Sequence, residues 1–115
     1  MSIKILHNPR CSKSRATLQL LLDRGLQPEI VLYLETPPSA EELESILRKL
    51  DCGPRQLMRR GEPEYRALGL DDETRSEQEL IEAMVATPRL IERPIVLHDG
   101  KAALGRPPEA VLDIL

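Results

Sequence analysis

The dipeptide Asp99-Gly100 stands between two short apolar runs, Pro94-Ile95-Val96-Leu97 and Lys101-Ala102-Ala103-Leu104, and no other feature limits the fold as much. An Asp-Gly pair supplies the positive-φ residues of a tight hairpin turn, so the two runs predict an antiparallel pair of strands with His98 beside the tip. The other end of the chain imposes a different pairing. Ile3 to Leu6 is an apolar run halted by His7-Asn8-Pro9 and reads as a strand. Leu18, Leu21 and Leu22 then recur at helical spacing until Gly25. Glu29 to Leu34, closed by Pro37-Pro38, reads as a second strand, and the helix between the two strands predicts that they run parallel.

Between these end segments the signals are helical. Ser39 with Glu42 forms a capping box before Leu43, Ile46, Leu47 and Leu50, a helix expected to end near Gly53. Ser76 with Glu79 repeats the signature before Leu80, Ile81, Met84 and Val85, and Pro88 stops it. Pro54 to Gly69 is less regular and carries short helical pieces with the basic pair Arg59-Arg60. Pro107 and Pro108 suit the first turn of a closing helix that would bury Val111, Ile114 and Leu115. The order is β-α-β, a helical insertion, then β-β-α: an α/β chain built on one mixed four-stranded sheet, the order of a thioredoxin-like fold. At 115 residues it is expected to be one domain, 1–115.

Composition narrows the function classes. A net charge of -3, with two Tyr and no Trp or Phe, offers neither the basic surplus nor the stacking surfaces that nucleic acid needs. No apolar run reaches signal-peptide or membrane-span length, so no membrane role is expected and the cytoplasm is the expected compartment. Two cysteines, Cys11 and Cys52, are too few for a disulfide framework.

Cys11 sits where the first strand hands over to the first helix. A thiol there meets unpaired backbone N–H groups and the positive end of the helix dipole, and both favour the thiolate. Arg10, Lys13 and Arg15 add positive charge, Ser12 and Ser14 add hydroxyls, and the same loop can cradle a tetrahedral oxyanion. Cys52, beside Gly53 at a helix end without such surroundings, reads as structural. His7, four residues before Cys11, is placed to pair with the thiol, but with His98 at the hairpin and Cys52 isolated no metal site assembles. Arg93-Pro94 and Arg106-Pro107 bracket the hairpin and offer guanidinium forks suited to phosphate-like anions if the fold brings them to Cys11.

His7-Asn8-Pro9-Arg10-Cys11-Ser12-Lys13-Ser14-Arg15 resembles the His-x-x-x-Cys-x-x-x-Arg signature of the glutaredoxin-linked arsenate reductase family, and Thr17-Leu18 continues it. Tyr33 to Ser39, Leu57 to Arg60, Glu92 to Val96 and Gly105 to Glu109 resemble four further blocks in the same order, so the likeness spans the chain. The resemblance implies that Cys11 attacks arsenate while Arg59, Arg93 and Arg106 surround the oxyanion. It implies that His7, Ser14 and Arg15 tune the thiolate and that the Arg93-Pro94 bond is cis. Glutathione as co-substrate and glutaredoxin as partner would complete a two-electron reduction to arsenite, with no metal and no tightly bound cofactor.

The sequence departs from that family's best-studied members in carrying Ser12-Lys13 rather than Gly-Thr after the cysteine. The phosphatase-like arsenate reductases need Cys-x5-Arg, and only three residues separate Cys11 from Arg15. Two other readings share the expected fold. One is a glutathione-dependent thiol reductase or transferase acting on another substrate. The other is a redox regulator that binds RNA polymerase, but its usual Cys-x-x-Cys has Ser14 in the second place here.

Overall fold

A computed structural model describes residues 2–115. The chain divides into two compact units, one holding the residues up to Thr36 together with Arg93–Leu115, the other Pro37–Glu92. The second unit is the helical insertion expected from the sequence.

The first unit holds the sheet. Strand β1 (Ile3–His7) leads through a short loop to helix α1 (Ser12–Asp23) and strand β2 (Glu29–Leu32). Strands β3 (Ile95–His98) and β4 (Lys101–Leu104) follow the insertion, and a 3-10 segment, Pro108–Ile114, closes the chain. The strand order is β2-β1-β3-β4. β1 runs parallel to β2, with Ile5 beside Ile30, and antiparallel to β3, with Ile5 beside Val96. The βα crossover and the hairpin thus impose opposite pairings on the two sides of one central strand, as the sequence predicts. At the hairpin tip Asp99 and Gly100 both take positive φ, 52° and 77°, the backbone that a two-residue turn with right-handed strand twist requires. Ile3, Ile5, Leu21, Val96 and Val111 form the core of this unit, with Leu18, Leu26, Ala103 and Ile114 packed at its margin.

Three local expectations are corrected. The second strand stops at Leu32 rather than Leu34, because its partner β1 ends at His7 and the Leu32 carbonyl instead accepts the N–H groups of Glu35 and Thr36. The buried face of α1 is Ser14, Thr17 and Leu21, whereas Leu22 is 46% exposed; two small polar side chains occupy positions that an apolar count overlooks. The closing segment winds as 3-10 helix, burying Val111 but leaving Leu115 exposed.

In the second unit, helices α2 (Ala40–Leu50), α3 (Pro54–Leu57), α4 (Pro63–Ala67) and α5 (Glu77–Ala86) precede a 3-10 turn at Pro88–Leu90. Both expected capping boxes are made: the Ser39 hydroxyl accepts the Glu42 N–H, the Ser76 hydroxyl accepts the Glu79 N–H, and each glutamate accepts the N–H of its serine. α2 ends at Leu50, near Gly53 as expected, where Asp51 adopts a left-handed conformation and the Cys52 N–H closes onto the Leu47 carbonyl. Gly53 precedes Pro54 at the start of α3. Among the described residues no helix is long and apolar enough to cross a membrane.

Candidate active site

The loop from β1 to α1 is held by side chains that local sequence places next to one another. Asn8 is buried and uses three groups: its side-chain oxygen accepts the Arg10 N–H, its carbonyl accepts the Cys11 N–H, and its own N–H donates to the Ser14 hydroxyl. The Arg15 guanidinium donates to the Pro9 carbonyl at 2.8 Å. The loop is therefore tied at Pro9, Arg10 and Cys11 before any ligand arrives.

Cys11 occupies the position that caps α1, with extended backbone (φ -97°, ψ 124°). At such a position a Ser or Asp oxygen would accept N–H groups two or three residues on. Here a thiol stands in that place and makes no capping hydrogen bond, although the neighbouring N–H groups act on its charge. Burial alone would raise the thiol pKa, but the Ser14 N–H, the Arg93 guanidinium and the Lys13 N–H favour the thiolate and bring the pKa below its ordinary value. The backbone donors expected at the start of α1 act through Ser14 and Lys13, whereas the positive charge expected from Arg10, Lys13 and Arg15 comes instead from Arg93, remote in sequence. Cys52 behaves oppositely, its pKa raised by burial and by the carboxylate of Asp51.

Two arginines from the other end of the unit converge on the sulfur. Arg106 Nη2 lies 3.9 Å from Cys11 Sγ, and its Nε donates to the Arg93 carbonyl at 2.8 Å, so one guanidinium links both. Arg93 Nε is buried and makes no hydrogen bond among the described residues, a donor left over beside a nucleophile. The peptide bonds Arg93-Pro94 and Arg106-Pro107 are both cis, the first as the resemblance implied and the second unforeseen. Gly105 precedes Arg106, and a Cβ built there would lie 2.5 Å from Thr17 Oγ1 and 2.7 Å from Pro94 Cγ. Only glycine lets the chain after β4 lie this close to α1.

His7 reaches Cys11 indirectly. Its Nδ1 lies 2.6 Å from the Ser14 hydroxyl, which also accepts the Asn8 N–H. The hydroxyl keeps a second lone pair and its proton, so either tautomer of the ring can complete this contact. Burial, reinforced by the positive charge of Arg15, lowers the His7 pKa and so favours the neutral ring. His7 thus orients Ser14, whose N–H serves the sulfur, and brings no charge of its own.

Arg59 belongs to the helical unit. Its N–H donates to the Leu90 carbonyl, and its guanidinium lies 3.2 Å from Glu62 and 3.6 Å from Glu92. Nε and Nη1 are buried and, apart from the Nη1 ion pair with Glu92, have no hydrogen-bond partner among the described residues. Arg60 is exposed and donates to the Arg55 carbonyl. His98 Nδ1 lies 2.7 Å from the Ile114 carbonyl, a tie between β3 and the closing segment. Among the described residues no group of His, Cys, Asp or Glu could hold a metal ion.

Sequence reasoning missed Asn8 and Gly105. Asn in a His-Asn-Pro turn is a signal for an Asx turn and could have been read so; the close approach at Gly105 involves residues too remote in sequence to signal it.

The ArsC family model matches residues 6–114, which includes every residue of this cluster. The chain belongs to the ArsC family. Over nearly its whole length it resembles several members. It is 51% identical over 116 residues to the arsenate reductase of Haemophilus influenzae, with all of both chains covered. It is 55% identical to an uncharacterized Escherichia coli K12 protein, YfgD, covering 98% of this chain and 96% of that one. Among solved structures, arsenate reductase from Vibrio cholerae superposes with a TM-score of 0.97 at 50% identity, covering 100% of this chain and 98% of that one. The ArsC fold is the thioredoxin-like arrangement expected from the sequence.

Proposed function

We propose that this protein is an arsenate reductase in which Cys11 is the nucleophile. The observation that carries the reading is the meeting of a thiol favoured as thiolate with two guanidinium groups, Arg93 acting on the sulfur and Arg106 at 3.9 Å from it. A thiolate attacks an electrophile, and paired arginines hold a tetrahedral oxyanion by forked hydrogen bonds. The names of the ArsC relatives supply arsenic.

In the first step Cys11 Sγ attacks arsenic, an arsenic–oxygen bond breaks, and the oxygen leaves as water after protonation. Arg93 and Arg106 bind the remaining oxygens and the negative charge they carry. Arg59, of the helical unit, is proposed as the third arginine on the anion from the resemblance of Leu57 to Arg60 to the family block alone. Glutathione then displaces a second arsenic oxygen, which leaves as water, so that arsenic carries both sulfurs. A glutaredoxin thiolate attacks the glutathione sulfur: the sulfur–sulfur bond of a glutathione–glutaredoxin mixed disulfide forms, the arsenic–glutathione bond breaks, and its electron pair stays on arsenic as the two-electron reduction. Water then cleaves the remaining Cys11–arsenic bond, releasing arsenite and restoring the thiolate. His7, Ser14 and Arg15 position the loop and tune the thiolate. No metal and no tightly bound cofactor enters this sequence, and a cytoplasmic glutathione pool suits it.

The test is arsenate-dependent NADPH oxidation with glutathione, glutaredoxin and glutathione reductase supplied. Turnover by the wild-type protein and none by Cys11→Ser is the expected result. Tight glutathione reaction without arsenate turnover would move the assignment to a thiol transferase.

A further inference from the structure

Beside the Cys11 loop, inside the sheet unit, lies a cavity of about 220 Å³ that none of the steps above uses. His7 at the end of β1 and Asn8, Pro9 and Arg10 of the loop line it on one side, and Leu32 of β2 with Leu34 and Glu35 beyond it on the other. Its charged groups are of opposite sign. Arg10 and Glu35 are both exposed, and neither side chain has a hydrogen-bond or ion-pair partner among the described residues. Leu34, 40% exposed, and the half-buried Leu32 supply apolar wall between them. A cation and an anion held apart across an aliphatic surface complement a ligand that carries its own carboxylate and ammonium on a short hydrocarbon chain. That is the chemistry of an amino-acid head.

We propose that this cavity binds the γ-glutamyl end of glutathione, with its α-carboxylate on Arg10, its ammonium on Glu35 and its methylenes over Leu32 and Leu34. Arg10 immediately precedes Cys11, so a tripeptide anchored there carries its thiol toward the sulfur it must meet. The inference rests on the reading of Cys11 as a thiolate that exchanges with glutathione, and it adds a specificity site for that co-substrate. The anion-holding arginines, Arg93 and Arg106, come from the other end of the unit, so oxyanion and co-substrate have separate anchors.

The test omits arsenate. Glutathione disulfide is mixed with reduced protein, and formation of the Cys11 mixed disulfide is followed by mass spectrometry. The Cys11 thiolate attacks one sulfur, the sulfur–sulfur bond breaks, and one glutathione thiolate leaves to take a proton from solvent. 2-Hydroxyethyl disulfide, which has neither carboxylate nor ammonium, is the control. Arg10→Ala and Glu35→Gln are each expected to slow the reaction with glutathione disulfide about fivefold, the range for losing one exposed ion pair. Both should react with the control within about twofold of wild type, which also shows that they are folded and carry a normal thiolate. Equal slowing with both disulfides, or no slowing with either, overturns the proposal. Slowing confined to glutathionylated glutaredoxin overturns it in favour of a protein occupant. Failure of arsenate turnover leaves this readout untouched, so the two readings fall separately.

Discussion

Cys11 and Cys52 are the same side chain in opposite electrostatic settings. Both are partly desolvated, which raises a thiol pKa; only Cys11 has N–H donors and a guanidinium to reverse it, while Cys52 has the Asp51 carboxylate to add to it. At neutral pH iodoacetamide should therefore label Cys11 first and leave Cys52 largely unmodified, as read by peptide mapping. Equal labelling would mean that the backbone donors do not act on the sulfur. Arg106 tests the other half of the site. It lies near the sulfur and also donates to the Arg93 carbonyl, so Arg106→Ala removes a ligand and loosens its neighbour. Loss of a donor that stabilises developing charge costs roughly 100-fold or more in turnover, and coupled NADPH oxidation measures it. Cys11 was legible in the sequence because everything that activates it, apart from the arginines, lies within a few residues. The convergence of Arg93 and Arg106 was not, since the link from Arg106 to Cys11 spans 95 residues and no local pattern encodes it; only the family resemblance pointed there.

At the level of elements, legibility follows how local the cause is. Asp99-Gly100, Ser39 with Glu42, and Ser76 with Glu79 each contain their own geometry, and each formed as read. The end of β2 and the winding of Pro108–Ile114 depend on what lies alongside, and both departed from the reading. Ser76→Ala removes the acceptor for the Glu79 N–H at 3.1 Å, so it should cost about 1 kcal/mol by urea denaturation. Ser76→Asp, which restores an acceptor, should recover most of it. Gly105→Ala acts through packing instead. A Cβ at 2.5 Å from Thr17 Oγ1 cannot be relieved by a rotamer change alone, because Thr17 is fully buried. The chain carrying Arg106 must shift. Overpacking of this kind costs roughly 1–3 kcal/mol, and a melting temperature lowered by several degrees together with weakened turnover is the expected result.

For the molecule as a whole, the shifted imidazole and thiols, His7, Cys11 and Cys52, give stability a defined dependence on pH above the range in which carboxylates titrate. His7 has a folded pKa below its ordinary 6.5, so the unfolded chain binds the proton more readily and stability falls as acid titrates the ring. Cys11 has a folded pKa below its ordinary 9.0, so its contribution is fully present above that value and is lost as pH falls through the folded pKa. Both make the fold more stable as pH rises. Cys52 is opposite: with its folded pKa raised, it favours the fold at lower pH and withdraws that support as pH climbs past the unfolded thiol value. Urea denaturation across roughly pH 5 to 10 should therefore show rising stability that bends over above about pH 9. Cys11→Ser should flatten the rise on the alkaline side of neutrality, His7→Gln should flatten it on the acid side, and Cys52→Ala should remove the bend. If Cys11→Ser leaves the alkaline slope unchanged, the thiolate is not stabilised by the fold, and the nucleophile loses its physical basis before any substrate is tried.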